Sequence, residues 1–354
     1  MHKNMSSINN EPLFDVLSQY DIKVVSIRNE TYKDKKGVWW IQTPDEYRIL
    51  KKISNSEDTF KYILSAAEHL RKNGVNIPSV YKTKDEKDYV NINGTCYVLY
   101  EAVEGKSPSY SLPEDFKAIV KELAKFHAAS AGFSPLEGTK PKIHLGKWVE
   151  QYTEQVEDMN RFYQTELEKS ENDKIGKVII EEFPAFYERT KQAIEGLKGK
   201  EYQDWSEKVK VRGGLCHQDF AAGNLLKNPS GKIYVLDTDS ITIDIPARDI
   251  RKLLNKIMKK NGSWNLEIFR KFVRFYQSEN PLDYSEWMVV KLDLMFPHLF
   301  LGAMNKFYYK RDKEWSFEKY LKRITEMVAL EKTITPILEN FDSIVSEEIN
   351  QRKD

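Results

Sequence analysis

The order of short apolar runs along the chain constrains the fold most strongly, because strand-like runs come first and helical ones follow. Three β-like runs, KVVSIR, GVWWIQT and EYRILKKI, lie between Lys23 and Ile53 and are separated by polar turns, which predicts an antiparallel meander. The stretch NSED then offers capping residues before apolar positions at helical spacing, which predicts a helix over 57–72. Two more strand-like runs, DYVNIN and TCYVLYEAV, meet at a turn at Asn93-Gly94. The first hundred residues therefore predict a small α+β lobe.

The segment EGKSPSYSLP at 104–113 is polar and contains proline and serine, so we interpret it as a linker between two domains, 1–103 and 104–354. Beyond it most of the apolar spacing is helical. The exception is a loop flanked by two short β-like runs, GGLC and KIYVLD. The predicted helices cover 114–131, 146–169, 173–196, 247–260, 265–278, 284–309 and 316–340.

Composition narrows the classes of function and location. Lys and Arg number 55 against 54 Asp and Glu, and this net charge of +1 gives no global argument for a nucleic-acid or membrane partner, so we expect neither. The two cysteines, Cys96 and Cys216, lack metal-type spacing and are expected to be buried thiols of a reducing compartment. No signal-peptide pattern and no run of about 18 apolar residues occurs, so we expect a protein made in the cytoplasm.

One stretch, CHQDFAAGNLLKNPSGKIYVLDTD at 216–239, gathers polar groups of the kind that phosphoryl transfer needs. His217, Asp219 and Asn224 lie two and then five residues apart, and Asp237 follows thirteen residues after Asn224. A carboxylate can orient an attacking hydroxyl and accept its proton, while oxygen ligands hold Mg²⁺ against the phosphates. An asparagine amide oxygen plus one carboxylate suits Mg²⁺, and a rigid β-hairpin would hold both near one point. The alternative interpretation is an Asx-rich turn without chemistry.

The pattern His-x-Asp-x₄-Asn, followed by an apolar strand that ends in Asp, resembles the catalytic and metal-binding loops of kinase-like phosphotransferases. It is more similar to the aminoglycoside and choline kinase group than to protein kinases, because no arginine follows His217 and DTD replaces Asp-Phe-Gly. The resemblance implies an α+β, two-lobed protein kinase-like fold with a small antiparallel-sheet N-lobe and a large, mainly helical C-lobe. It implies Asp219 as catalytic base, His217 as a structural brace, and Asn224 and Asp237 as Mg²⁺ ligands. In ARDIRK, Asp249 would help to tie the loop down.

The N-terminal half fits the same resemblance, which implies ATP as the nucleotide. In this fold a lysine on the third strand meets the nucleotide phosphates, and Lys51 in YRILKKI is the natural position. Strand alternation places Lys51 on one face together with Ile49 and Ile53. The segment LYEAVEG is similar to the hinge between the lobes, where backbone groups from Glu101 to Val103 would meet the adenine.

Two positions depart from the family pattern. The turn over the phosphates is expected to be glycine-rich, but RNETYKDKKG contains Gly37 alone, which implies a looser cover or a contribution from Lys33, Lys35 and Lys36. The strand lysine normally pairs with a helical glutamate, and Ile63 stands where that acid is expected. Glu57 and Glu68 are the alternatives; Glu68, roughly 110° from the centre of the apolar face, could reach Lys51 from the flank. An ordinary solvated role for Glu68 stays open.

A narrower resemblance extends along most of the chain. In order, LRKNGVNIPSV, LAKFHAASAGF, LGKWVEQYT, LCHQDFAAGNLL and IPARDIRKLL resemble CotS-type spore-coat proteins of endospore-forming bacteria. The leading hypothesis is a spore-coat-associated phosphotransferase that transfers the ATP γ-phosphate to a hydroxyl of a small molecule or of a coat protein. The second is a catalytically inactive kinase-fold scaffold that contacts coat proteins, and the third is an aminoglycoside phosphotransferase. The implied location is the mother-cell cytoplasm, with assembly into the spore coat.

Overall fold

A computed structural model describes residues 11–29, 37–311 and 314–351. The chain forms two compact units, and each is built from three separate segments of sequence. The first unit contains Met1–Pro108, Ser134–Lys142 and Ala222–Ile241. The second unit contains Ser109–Phe133, Ile143–Ala221 and Thr242–Asp354. The domain boundary that the sequence places between residues 103 and 104 stays a prediction.

A five-stranded antiparallel sheet is the centre of the first unit, with strand order β1-β2-β3-β5-β4. The helix predicted over 57–72 is present with these bounds and begins after Ser56, whose hydroxyl accepts a hydrogen bond from the Thr59 amide. The strands and helices are α1 Leu13–Ser18, β1 Ser26–Asn29, β2 Val38–Gln42, β3 Tyr47–Lys52, α2 Glu57–Lys72, β4 Val90–Ile92 and β5 Thr95–Glu101.

Helix α1, which the sequence analysis did not predict, packs on one face of this sheet. Its apolar residues form a core with alternate residues of β2, β3 and β5. The residues of that core are Leu13, Val16, Leu17, Tyr20, Trp39, Ile41, Leu50, Val90, Tyr97 and Leu99. Because successive strand residues point to opposite faces, Lys51 points away from the α1 core, on the face that it shares with Ile49.

The second unit is mainly helical. Its helices are α3 Pro113–Ala129, α4 Trp148–Leu167, α5 Lys174–Leu197, α6 Lys200–Arg212, α7 Ala247–Asn261, α8 Leu266–Glu279, α9 Tyr284–Met295, α10 His298–Tyr308, α11 Phe317–Lys332 and α12 Thr335–Asn350. Helix α6 was not predicted, and two predicted helices are each divided. The break in 284–309 falls at Pro297, which supplies no backbone N–H, and the break in 316–340 falls at Thr333 and Ile334.

The apolar segment Tyr284–Tyr308 has the length and composition of a membrane span, but 61% of its most apolar window is buried inside the protein. Helices α9 and α10 pack against other helices of the second unit, α9 against α5 and α7, and α10 against α4 and α11. This burial explains the apolar composition as that of a helical core.

Four short strands lie between α6 and α7, namely β6 Leu215–Cys216, β7 Leu225–Lys227, β8 Ile233–Val235 and β9 Thr242–Ile243. The runs GGLC and KIYVLD flank the loop, as predicted, but they do not pair with each other. Strand β6 pairs with β9 in the second unit, whereas β8 forms a hairpin with β7 in the first. Backbone hydrogen bonds between Lys106 and Lys227, with N···O distances of 3.0 and 2.8 Å, join this hairpin to the segment after β5.

We predict that Gly213→Ala destabilises the protein much more than Gly262→Ala. Both glycines end helices with positive φ, 79° and 86°. An alanine costs about 1 kcal/mol in the left-handed conformation of Gly262 and more at Gly213, whose ψ of 149° is a conformation that almost only glycine adopts. Only at Gly213 would the new Cβ also meet backbone atoms, the N and O of Phe133 at 2.7 Å, which adds roughly 1–3 kcal/mol. Urea unfolding of the two variants measures the difference; equal losses would contradict it.

Candidate active site

The loop after β6 is held by the carboxylate of Asp249, near the start of α7. Asp249 is 1% exposed. Its Oδ2 accepts a hydrogen bond from the His217 amide at 2.5 Å, and its Oδ1 accepts one from the Gln218 amide at 2.8 Å. Gln218 has a φ of 69°, a left-handed conformation that is uncommon for a residue with a side chain. The two hydrogen bonds stabilise this turn, as the resemblance implied for Asp249, and so fix the backbone that carries Asp219.

Two buried histidines surround the same carboxylate. His217 is fully buried, its Nδ1 lies 3.3 Å from the Asp219 amide, and its ring contacts Phe126 and Phe220. His127 of α3, which the sequence analysis did not single out, places Nε2 3.3 Å from Asp249 Oδ2. Although burial opposes ionisation, the His127 hydrogen bond and nearby positive charges hold the pKa of Asp249 below its usual range. These contacts support a bracing role for His217.

One face of α7 supplies two lysines to the loop, and neither was recognised from the sequence. Lys252 Nζ donates to the backbone oxygen of Gln218 at 2.7 Å and to its side-chain Oε1 at 2.8 Å. Lys256 Nζ lies 2.6 Å from Asp219 Oδ1, and the Asp219 side chain is 56% exposed. Positions 249, 252 and 256 are three and four residues apart, so they share a helix face. The helical spacing was the signal that could have found these lysines.

In the first unit, Lys51 lies between two acids of the segment after β8. Its ammonium is 2.7 Å from Asp237 Oδ1 and 2.9 Å from Asp239 Oδ1. The exposed fractions of the three side chains are 12% for Lys51, 35% for Asp237 and 7% for Asp239. Burial alone would lower the pKa of Lys51, but the charges of Asp239 and Asp237 outweigh it and raise that pKa. The lysine is therefore an ammonium, and Asp239 belongs to the same cluster as Asp237.

Asn224 ends a 3₁₀ turn just before β7, at the base of the hairpin. Its carbonyl accepts a hydrogen bond from the Leu236 amide at 2.9 Å, directly before Asp237. The hairpin thus brings the backbones of Asn224 and Asp237 together, although they are thirteen residues apart in sequence. The Asn224 side-chain amide and the carboxylates of Asp237 and Asp239 supply hard oxygen atoms, the type of ligand that Mg²⁺ prefers.

The structure does not bring Glu68 to Lys51. Glu68 forms ion pairs within α2, with Arg71 and, at 3.6 Å, with Lys72. The other alternative, Glu57, accepts hydrogen bonds from Tyr89 and Asn91 of the β4 region. The position expected for an acid, Ile63, is 1% exposed and apolar. Lys51 therefore finds its carboxylate partners at the hairpin and not on α2.

The segment predicted as the hinge is fixed on one side by Ser79. The Glu101 amide donates to the Ser79 carbonyl, and the Glu101 carboxylate accepts from the Ser79 amide and, at 2.6 Å, from its hydroxyl. Val103 follows β5 in an irregular, partly exposed segment. Of the residues proposed to cover the phosphates, Gly37 is described, and a Cβ there would overlap the Trp39 ring. The remaining ones, Lys33, Lys35 and Lys36, lie outside the described residues.

Comparison with known families agrees with this geometry. Residues 15–341 match the family described as "Spore coat putative kinase YutH". The chain belongs to this family of kinase-like spore coat proteins. It is 28% identical to spore coat protein S of Bacillus subtilis over 330 residues, which cover 93% of each chain. The predicted resemblance to CotS-type proteins is confirmed.

Solved structures show the fold of this spore coat kinase-like protein. An aminoglycoside phosphotransferase from Alicyclobacillus acidocaldarius has a TM-score of 0.80 at 17% identity, covering 97% of this chain and 99% of that one. A spectinomycin phosphotransferase in complex with ADP and spectinomycin has a TM-score of 0.61 at 14% identity, covering 91% and 96%. The predicted kinase-like fold, with a small antiparallel sheet and a larger helical part, is confirmed.

The cluster around Lys51 predicts a measurable coupling. Lys51→Met removes the only cation in the ion pairs of Asp237 and Asp239 that the described residues show, so we expect a loss of about 3 kcal/mol in the free energy of unfolding. Adding Asp239→Asn should return part of that loss, because the buried carboxylate is then neutral. Urea unfolding of both single variants and the double variant measures the coupling. Lys61→Met, whose ion pairs are exposed, is the control and should change little. Strict additivity would contradict the prediction.

Lys252 predicts a dependence of stability on pH. Burial, with Arg251 nearby, lowers its pKa to about 8, below the value of about 10.4 in an unfolded chain. Between these values the unfolded chain binds more protons, so the wild type gains stability as the pH rises. Relative to Lys252→Met, we expect a gain on the order of 2 kcal/mol from pH 7 to pH 10 in urea unfolding. Lys121→Met, at an exposed ion pair, is the control, and its difference from wild type in the free energy of unfolding should not change with pH. A difference between wild type and Lys252→Met that is independent of pH would refute the prediction.

Proposed function

We propose that the protein is a spore-coat-associated phosphotransferase that moves the γ-phosphoryl group of ATP to a hydroxyl of a small molecule or a coat protein. The observation that carries the proposal is the loop held by Asp249, which presents the exposed carboxylate of Asp219 beside Lys256. A buried carboxylate and a strained residue at Gln218 are costly features, and a base that must reach a substrate hydroxyl gives them a purpose.

Each side chain has one role in the proposed reaction. Asp219 orients the acceptor hydroxyl and takes its proton as the new P–O bond forms and the bond to the β-phosphate oxygen breaks, which releases ADP. Lys51 pairs with phosphate oxygens, and backbone groups from Glu101 to Val103 contact the adenine. Asn224 and Asp237, with Asp239 beside them, would hold Mg²⁺, which when bound neutralises charge on the phosphates. His217 and Asp249 keep the loop in place.

A second function, a kinase-fold scaffold of the spore coat, is favoured by one specific observation. Lys51 is paired with Asp237 and Asp239, and the described residues supply no glutamate of α2 to hold it for a nucleotide. A protein of this kind would act through contacts with coat proteins. Thermal shift with Mg-ATP separates the two, because nucleotide binding without any transfer supports the scaffold. Growth on aminoglycosides with the gene expressed tests the third hypothesis, that of an aminoglycoside phosphotransferase.

Replacing the base gives the direct test of the proposed transfer. With radiolabelled ATP, Mg²⁺ and an extract of sporulating cells as acceptor source, Asp219→Asn should lower phosphate transfer by on the order of 10²-fold or more. Nucleotide binding by the variant should persist, because Asp219 serves the acceptor. Asp204→Asn is the matched control, since this exposed acid forms an ion pair with Lys200 at 3.9 Å on α6, and it should transfer phosphate like wild type. Equal trace transfer by wild type and Asp219→Asn would sink the proposal.

A further inference from the structure

We infer that the phosphate acceptor is an organic anion with an apolar body, bound in a cavity of the second unit that Lys260 lines, one turn of α7 beyond the lysine that contacts Asp219. This inference rests on the proposed function, since it names the substrate class of the same site. The cavity has a volume of about 570 Å³ and lies among the start of α3, the end of α7 and α8. Small-molecule sites commonly have volumes of about 300–1,000 Å³.

Three lysines and one acid give the cavity its charge. Lys117 of α3, Lys260 of α7 and Lys271 of α8 line it, and Glu114 is the only acid among the lining residues. Lys271 is partly neutralised by Glu267 at 3.2 Å. Within residues 11–29, 37–311 and 314–351, neither Lys117 nor Lys260 has an ion-pair partner. Two uncompensated ammonium groups therefore face one cavity, and an anion is the ligand that they attract.

Helix α7 connects this cavity to the catalytic carboxylate. Lys256, whose ammonium contacts Asp219, lies four residues before Lys260, so the two lysines share a helix face about one turn apart. An acceptor with its anionic group at Lys260 therefore needs a span of only about 5–10 Å to place a hydroxyl at Asp219. A ligand bound in the cavity would therefore present its hydroxyl to the base that the proposed reaction uses.

Apolar side chains form the rest of the wall. Phe116, Ile268 and Phe275 contribute carbon surface, and the Lys117 ammonium lies 5.9 Å from the centre of the Phe275 ring. A ligand with an aromatic or aliphatic body would bury that surface while its charge meets the lysines. The same lysines repel a polycation, so the cavity argues against an aminoglycoside as acceptor.

Fluorine NMR of the nucleotide-free, full-length chain tests the ligand class. The probes are 4-fluorophenyl phosphate and 4-fluorobenzoate as anions, with 4-fluorobenzylamine as the cation of similar size. We expect both anion signals to broaden on addition of protein, and the cation signal to stay sharp. Lys117→Gln and Lys260→Gln should each weaken anion binding about threefold, and the double variant about tenfold. Lys259→Gln, on the adjacent position of α7 but outside the cavity lining, is the matched control and should bind like wild type.

The inference is overturned if neither anion binds, if the cation binds equally well, or if the double variant binds anions like wild type. Thermal melts of each variant confirm that the fold is kept. Because the measurement uses no nucleotide, its failure is separate from failure of the proposed function. If anion binding depends on Lys117 and Lys260 but wild type and Asp219→Asn transfer phosphate equally, the bound anion is not the phosphate acceptor. If transfer needs Asp219 but no anion binds, the protein is a phosphotransferase with another class of acceptor.

Discussion

The hydrogen bonds of the buried Asp249 carboxylate are the interaction on which the loop after β6 depends. Removing a charge from water is costly unless hydrogen bonds replace its hydration, and here two backbone amides and His127 do so. The same bonds stabilise the left-handed backbone of Gln218 and thereby fix where Asp219 emerges. Since Asp249, Lys252 and Lys256 share one face of α7, a single helix holds the loop, donates to its backbone and contacts the exposed acid. The position of the loop therefore depends on the position of α7.

The cluster in the first unit has a different electrical character. The Lys51 ammonium lies between the carboxylates of Asp237 and Asp239, and the Lys142 ammonium donates to the backbone oxygen of Asp239 at 2.8 Å. A divalent cation bound by the two carboxylates would compete with Lys51 for them and free its ammonium for an anionic ligand, as the proposed binding of Mg-ATP requires.

The sequence predicted those features that local patterns determine. The bounds of α2 follow from capping at Ser56 and apolar spacing, and the phosphotransferase motif is short and contiguous. The positions where helices break were harder to predict, because a proline does not always end a helix. Pro184 lies inside α5, whereas Pro297 separates α9 from α10. The partner of Lys51 depends on a contact across 186 residues, which spacing within one strand or helix cannot reveal. The same holds for the ion pair between Lys51 and Asp239, which the sequence analysis did not predict.

The segment LGKWVEQYT contributes to the family resemblance but contains no candidate site residue. The structure shows that its tryptophan supports the start of α7. The Trp148 indole donates to both carboxylate oxygens of Asp244, and its ring lies between Tyr152 and Tyr202. The Arg248 guanidinium lies 5.0 Å from the centre of that ring, and its Nε is 2.6 Å from Asp244 Oδ2. Arg248 directly precedes Asp249, so this aromatic anchor positions the first turn of α7. Trp148 therefore contributes to the placement of the loop after β6 through Asp244, Arg248 and the start of α7.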